Sequence, residues 1–310
     1  MKFSINMNKA HFIYISGSSG FVGKNVLNFF SNKNYFVQKI LRPELFSTNL
    51  IFFKKSSIII HLAGKAHDLK NLSDPQDYYK INTEITKNIF DRFIDSDAKV
   101  FITLSSVKAI ADVVVGELSE EQLPNPQSVY GKSKLLAEEY ILSIQIPPGK
   151  RVFILRPSMI HGPGNKGNLN LLFKIISKGL PWPLGSFENK RSFCSIDNLC
   201  FIINELIENI QIPSGIYNIA DDEPLSTNEL IELISKHHGK HPNIWNVPKY
   251  FIKSISKLGD LLHLPLNTER LSKLTESYIV SNKKIKNIIN KPLPVSAKEG
   301  LLKTFLSFND

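Results

Sequence analysis

The segment that most restricts this chain lies near its start. Gly17-Ser18-Ser19-Gly20-Phe21-Val22-Gly23 follows the apolar run Phe12 to Ser16 and precedes an amphipathic stretch that continues through Asn25 to Phe30. Three glycines spaced by three, between a strand and a helix, answer one physical demand. Gly17 permits a tight turn, Gly20 lets backbone approach a pyrophosphate, and Gly23 lets the helix pack closely on the strand. The helix start then offers unpaired N–H groups and the positive end of the helix dipole to phosphate oxygens. With Ser19, Phe21 and Val22 completing the turn, the segment predicts a dinucleotide cradle opening a βαβ unit.

The next 130 or so residues keep the same alternation. Tyr35 to Leu41, Ser57 to Ala63 with its Ile58-Ile59-Ile60 run, Val100 to Ser105 and Val152 to Arg156 read as buried strands. Asp77 to Ile94 and Ser128 to Ser143 read as helices between them. The pattern predicts an α/β fold of the Rossmann type, a doubly wound parallel sheet with helices on both faces. After Pro157 the texture changes. A loop of Gly162-Pro163-Gly164-Asn165-Lys166-Gly167 leads into shorter elements: helix at Leu169 to Lys178, extended chain at Ser192 to Ile196, and helix at Asn198 to Glu208. Ser226 to Ser235 is a further helix, with Ser226 and Glu229 in capping-box spacing. Residues 1–157 are read as the dinucleotide domain. Residues 158–310 are read as a smaller, mainly substrate-binding lobe, with about 192–208 returning to the first domain. Lys249 to His263 is an apolar, basic helix that could touch a membrane or a partner, with packing on that lobe the preferred reading.

Bulk properties narrow the function. The chain has 310 residues, 42% of them hydrophobic, enough for a full core. Cys194 and Cys200 have no metal-ligand spacing and are read as reduced and partly buried; no metal site is expected. No apolar run nears the ~20 residues of a membrane span, and Met1 to Ala10 lacks the pattern of a secretory signal, so no membrane insertion and a cytoplasmic location are expected. A net charge of +10 suits anionic ligands, but the lysines are dispersed and no nucleic-acid motif accompanies them.

Tyr130-Gly131-Lys132-Ser133-Lys134 places a phenol and an ammonium four residues apart, on one face of the predicted helix. A tyrosine with a pKa near ~10 is a poor base at neutral pH, and an adjacent cation favours its phenolate. Tyr130 could then exchange a proton with a substrate hydroxyl. Ser106 ends a buried strand 24 residues earlier, with Ser105 beside it.

Together, the glycine turn and the Tyr130/Lys134 pair resemble the extended short-chain dehydrogenase/reductase family, and within it the NAD-dependent epimerase/dehydratases acting on nucleotide sugars. The resemblance spans nearly the whole chain. It implies catalytic roles for Tyr130, Lys134 and Ser106, with Ser106 preferred over Ser105 for bonding the reacting oxygen and Lys134 also holding the nicotinamide ribose. It implies cofactor contacts from Leu62, Ala63 and Gly64, which follow His61 in a small-residue turn. It implies a supporting role for Asn82, with Thr86 one turn on. It places Pro157 and Ser158 beneath the nicotinamide, with backbone around Ser158 on the carboxamide. Asn168, Arg191 and Arg270 are the implied contacts to the substrate diphosphate, Arg191 foremost because a guanidinium fork suits phosphate oxygens.

Two features depart from the pattern. Ile40-Leu41-Arg42-Pro43 carries a cation where NAD-preferring relatives carry an acid, which favours NADP; Glu44 follows, so NAD stays possible. His61 follows Arg42 by only 19 residues, too few for a full strand-helix-strand-helix passage. The third strand or its helix is therefore reduced, to about Asn49 to Phe53, and the acidic contact to adenine from that region is expected to be missing. The implied reaction is hydride transfer at C4 of a UDP-hexose or UDP-N-acetylhexosamine for surface polysaccharide, by a 4-epimerase or a 4-ketoreductase, in a homodimer that includes the Tyr130 helix. A 4,6-dehydratase is disfavoured because Val107-Lys108 stands where those relatives carry Asp-Glu. A non-catalytic NADP sensor of the same fold is disfavoured because Tyr130 and Lys134 are both present.

Overall fold

A computed structural model describes residues 12–33, 35–47, 53, 57–65, 74–165, 167–262 and 267–308. Its strands are β1 (Phe12–Ser16), β2 (Phe36–Ile40), β3 (Ile58–His61), β4 (Val100–Leu104), β5 (Glu117–Leu118), β6 (Arg151–Pro157), β7 (Met159–His161), β8 (Phe193–Ser195), β9 (Gly215–Ile219) and β10 (Ile279–Val280). Its helices are α1 (Phe21–Ser31), α2 (Arg42–Phe46), α3 (Pro75–Tyr78), α4 (Ile85–Ile94), α5 (Val129–Ser143), α6 (Asn168–Ser177), α7 (Ile196–Glu208), α8 (Thr227–His237), α9 (Lys249–Leu262), α10 (Thr268–Thr275), α11 (Lys283–Ile289) and α12 (Ala297–Leu306). A π-helical turn, Tyr79–Glu84, joins α3 to α4, and a 3-10 turn, Val107–Ala109, comes after β4.

Among the described residues six strands form one parallel sheet in the order β2-β1-β3-β4-β6-β9. The period-2 alternation of the strands divides its two faces. Ile13, Ile15, Ile58, Ile60, Phe153 and Leu155 point to the face covered by α1 and α7. Tyr14, Ile59, Phe101 and Ile154 point to the face covered by α4 and α5. Both faces are apolar because both are covered. The chain crosses from one side of β1 to the other between β2 and β3, which leaves a crevice beyond Ser16 and His61, the position at which open α/β sheets bind ligands.

The stretch after Pro157 is shared between the sheet and a second cluster. β9 extends the sheet and α7 packs on it. α6, α8, α9, α10 and α12 surround a core of their own around Phe173, Trp182, Ile231 and Phe305. The buried His161 ties the two parts together: Nδ1 meets Thr304 Oγ1 of α12 at 2.9 Å, and Nε2 lies 3.4 Å from Asp221, which accepts from Asn198 of α7.

Sequence and structure differ locally. The helix predicted over 77–94 is a single rod from Pro75 to Ile94 widened by the π turn. The short pairings β5–β10 and β7–β8 are too brief to leave a periodic signal. The predicted segment Asn49 to Phe53 falls, for residues 49–52, outside the described residues; Phe53 is buried edge-on against Tyr14. Cys194 and Cys200 are both buried and free, and burial raises both thiols, Cys200 to about 12. No described helix is long and apolar enough to cross a membrane.

Candidate active site

The glycine turn sits where β1 enters α1. Gly17 has φ +69°, and a Cβ there would lie 2.6 Å from the Leu62 and Ala63 backbone. A Cβ on Gly23 would lie 2.0 Å from the Gly17 carbonyl oxygen. Gly20 is the N-cap of α1, and no side chain caps this end and no acid lies in its first turn. The N–H groups there are left to an outside acceptor. Gly23→Ala is expected to force α1 off β1 and abolish dinucleotide binding, whereas Gly20→Ala, with its nearest neighbour at 3.4 Å, is expected to leave the fold intact. Cofactor titration and thermal melts of the two variants distinguish these outcomes.

A chain of polar contacts fixes the crevice floor. Ser16 Oγ accepts from the amides of Leu62 and Ala63 at 3.1 and 3.2 Å, so its own proton goes to His61 Nδ1 at 2.7 Å. His61 is therefore neutral with the proton on Nε2, which donates to Thr86 Oγ1 at 3.0 Å; Thr86 donates to the Asn82 carbonyl at 2.7 Å. Burial, then the charge of Lys134, holds the His61 pKa down to about 3, consistent with that tautomer. Asn82 lies in the π turn, a backbone form often found at functional sites. Its side chain accepts from the Lys65 amide at 2.7 Å and donates to the Lys65 carbonyl at 3.1 Å and to Ser133 Oγ at 3.0 Å. It thus pins the Leu62–Lys65 turn to α5.

α5 is placed by residues that sequence reasoning passes over. Asp112 accepts from the amides of Gln127 and Ser128 and from the Ser128 hydroxyl, at 2.7, 2.9 and 2.8 Å. Burial raises the Asp112 carboxyl, and these three donors outweigh it, leaving the group below its ordinary range. Ser128 in turn caps the helix through the Gly131 amide at 3.2 Å. Gly131 is required by contact: a Cβ would lie 2.3 Å from the Lys108 carbonyl oxygen.

This arrangement brings Tyr130, Ser106 and Lys134 together at the ends of α5 and β4. The Tyr130 phenol lies close to the Ser106 hydroxyl, and its ring meets Tyr78 edge-on at 6.5 Å. Burial raises the phenol, Ser106 pulls it down, and Tyr78 adds to the rise. The sequence sets the ammonium against the phenol; the structure instead has Lys134 Nζ donating to the Leu104 carbonyl at 2.9 Å, and the hydroxyl nearest the phenol is that of Ser106. Lys134 lies next to Gly64, where a Cβ would be 3.0 Å from Nζ. Burial lowers its pKa to about 8, against the opposing charge of Glu138.

The sign of this shift gives a stability prediction. An unfolded lysine titrates near ~10.4. Between about pH 8 and that value the unfolded chain binds more protons than the folded one, so this group's contribution to stability rises with pH. The stability of the wild type relative to Lys134→Met is expected to improve across this window in denaturant titrations, and to be flat below about pH 7.

Glu138, one turn beyond Lys134, is a further residue that the sequence does not single out. Its carboxylate accepts from Ser105 Oγ and from Arg156 of β6, with Nε at 3.1 Å from both oxygens and Nη2 at 2.5 Å. The two charged side chains are 2% and 4% exposed. The pair ties α5, the β4 end and the β6 end at one buried point. Ser105 is thereby occupied, which leaves Ser106 to face the phenol. A small pocket lined by Asn82, Thr86, Thr103, Ser105, Lys134 and Glu138 lies between these elements.

At the β6 end, the Ser158 amide donates to the Ile219 carbonyl at 2.9 Å and is not available to a ligand. The Ser158 hydroxyl is buried with no partner in the protein. Of the Ser158 backbone expected to face a carboxamide, the N–H is thus taken, and the hydroxyl is left as the unpartnered group. Arg42 is exposed at the first turn of α2, just beyond the β2 end, and Glu44 accepts from the Leu41 amide at 2.5 Å. Asn168 is exposed at the first turn of α6. Arg191 is half-buried, with Nε donating to the Glu276 carbonyl at 3.0 Å and Nη2 to that of Lys273, so part of its fork holds the end of α10. Arg270 is exposed on α10.

The uncapped α1 start, the open space at Gly20 beside the close backbone packing of Gly17 and Gly23, and the unpartnered Ser158 hydroxyl fit a dinucleotide lying from the glycine turn to the β6 end. Comparison with known proteins agrees. A profile of the NAD dependent epimerase/dehydratase family matches residues 13–220. The chain is 28% identical over 317 residues to UDP-glucose 4-epimerase of Vibrio cholerae, covering 96% of this chain and 95% of that one. It is 26% identical over 290 residues to N-acetyl-alpha-D-glucosaminyl-diphospho-ditrans,octacis-undecaprenol 4-epimerase of Escherichia coli O157:H7, covering 88% and 84%. Its fold superposes with a TM-score of 0.74 on MoeE5 in complex with UDP-glucose and NAD, at 18% identity and over 96% and 98% of the two chains.

Proposed function

The chain belongs to the NAD dependent epimerase/dehydratase family, and on that premise we propose that it moves a hydride at C4 of a UDP-hexose or UDP-N-acetylhexosamine, with Tyr130 as the proton-transferring group. The observation that carries the reading is the placement of the Tyr130 phenol beside the Ser106 hydroxyl, with Lys134 one turn on against the Gly64 backbone and the Gly17 turn across the crevice. A nicotinamide held along that floor supplies the site that accepts and returns hydride. Tyr130 takes the proton of the C4 hydroxyl as hydride leaves, and returns it on reduction. Ser106 bonds the same oxygen and keeps it in line with the phenol. Lys134 would hold the nicotinamide ribose, and the positive charge of a bound oxidised ring would counter the burial that keeps the phenol protonated. Gly17, Ser19, Gly20, Phe21, Val22 and Gly23 hold the pyrophosphate, Leu62, Ala63 and Gly64 face the cofactor, and Asn82 keeps that turn in place. Pro157 and the Ser158 hydroxyl meet the carboxamide. Asn168, Arg191 and Arg270 hold the substrate diphosphate.

Arg42 favours a second form of the same chemistry, a 4-ketoreductase that uses NADPH once per turnover in making a sugar for surface polysaccharide. The cation stands beyond β2, where a 2′-phosphate would lie. Arg42→Glu is expected to reverse a preference for NADP over NAD, measured as the ratio of dissociation constants; an unchanged ratio removes Arg42 from the reading. A homodimer through the α5 face, where Leu136 and Leu142 are exposed, and a cytoplasmic site belong to the same proposal. Incubation of UDP-glucose and UDP-N-acetylglucosamine with the protein and NAD, read by NMR for inversion at C4, tests the epimerase. A 4-keto sugar with NADPH tests the reductase. Inactivity in both overturns the proposal.

A further inference from the structure

Among the described residues, α9 carries an apolar face that no other element covers. Only Ile252, Ser256 and Gly259 are buried, in contact with the lobe core and α10. Tyr250, Phe251, Ile255, Leu258, Leu261 and Leu262 are exposed, Tyr250 and Leu261 by 73% and 74%. At 100° per residue these six fall in one sector of roughly 140°, away from the buried strip. Lys253 and Lys257 are exposed along one border of that sector, and Lys249 lies next to the buried strip with its ammonium 5.9 Å from the Phe187 ring centroid. Asp260, the helix's one acid, is tied to Thr268 at the start of α10, with the Thr268 amide at 3.0 Å. Six large apolar side chains on one helix exceed the scattered exposure usual on a protein surface and mark a docking face.

The charge pattern selects the occupant. A second copy of this helix would bring lysines against lysines on chains that each carry +10. A surface that is apolar within and negative at its rim complements both features at once. We propose that α9 docks the protein peripherally on a bilayer containing anionic phospholipid, the apolar sector entering the acyl boundary and Lys253 and Lys257 meeting the headgroups. α10, packed against α9, carries the carbonyl of Lys273 that holds Arg191, so the docked face belongs to the lobe that takes the sugar diphosphate in the proposed reaction.

Full-length protein is sedimented with vesicles of phosphatidylcholine alone and of equal parts phosphatidylcholine and phosphatidylglycerol. The wild type is expected in the pellet with the anionic vesicles, and at least tenfold less with the neutral ones. Leu258→Ser with Leu261→Ser, and separately Lys253→Gln with Lys257→Gln, are expected to weaken partition by on the order of tenfold each. Turnover of a soluble nucleotide sugar should be unaltered in both variants, so failure of the catalytic proposal and failure of this one are read separately. Equal sedimentation with both vesicle types, or equal sedimentation of wild type and variants, overturns the inference. So does a lipid-free dimer, seen by analytical ultracentrifugation, that the leucine variant dissociates, because the face would then belong to a second copy.

Discussion

Replacing Tyr130 by phenylalanine is expected to lower turnover by about 10²–10⁴-fold and to leave dinucleotide affinity nearly unchanged. The substitution keeps the ring, and with it the edge-on packing against Tyr78 at 6.5 Å. It removes the oxygen that lies beside Ser106 and, in the proposed reaction, bonds the sugar hydroxyl. Helix α5 remains capped by Ser128 and anchored by Asp112, so the loss has no structural route. Steady-state rates, cofactor titration and thermal melts on one preparation decide the matter. Undiminished turnover in Tyr130→Phe would assign the proton to another group.

The largest effect on stability is expected at Glu138. Glu138→Ala leaves the Arg156 guanidinium buried without its carboxylate and Ser105 without its acceptor. Breaking one side of a buried ion pair costs about 3–5 kcal/mol, because the surviving charge stays in a poorly solvating interior. Replacing both partners by apolar residues, Glu138→Leu with Arg156→Met, is expected to recover most of that loss. Urea denaturation of the two singles and the double completes the cycle. A single-variant loss below about 1 kcal/mol, as for exposed pairs, would show that the pair is solvated and that α5 is held by other contacts.

The parts of this molecule legible in its sequence are those whose physics is local. The glycine turn is read directly, because Gly17 and Gly23 stand where a Cβ would collide with backbone, and no other residue type serves. The strands are read because Ile58-Ile59-Ile60 and its like occur only where both sheet faces are covered. The Tyr130/Lys134 spacing is read because it is a helix period, and the resemblance it supports leads to the family. What stays hidden depends on contacts between distant elements. Glu138 looks like solvated helix surface until Arg156, 18 residues on, is folded against it. Asp112 caps α5 from a loop with no periodic signal. In the sequence, only alignment with relatives chooses between Ser105 and Ser106, whereas the structure separates them by what each touches. The Ser158 amide looks available until β9 pairs with β6 and consumes it. The exposed face of α9 obeys the same rule: its apolar residues read as packing, and only the burial of Ile252, Ser256 and Gly259 shows how narrow that packing is.

The central claim is that a C–H bond at C4 is broken as hydride and that the hydrogen never enters water. The most direct test is a nucleotide sugar deuterated at C4, incubated with the protein and its dinucleotide and followed by NMR and mass spectrometry. The account predicts that the deuterium is kept, on C4 of both epimers or on the nicotinamide, and that Tyr130→Phe slows its transfer. Turnover with deuterium released to solvent would contradict it, since the carbon would then be exchanging a proton and the dinucleotide cradle would have no part in the reaction.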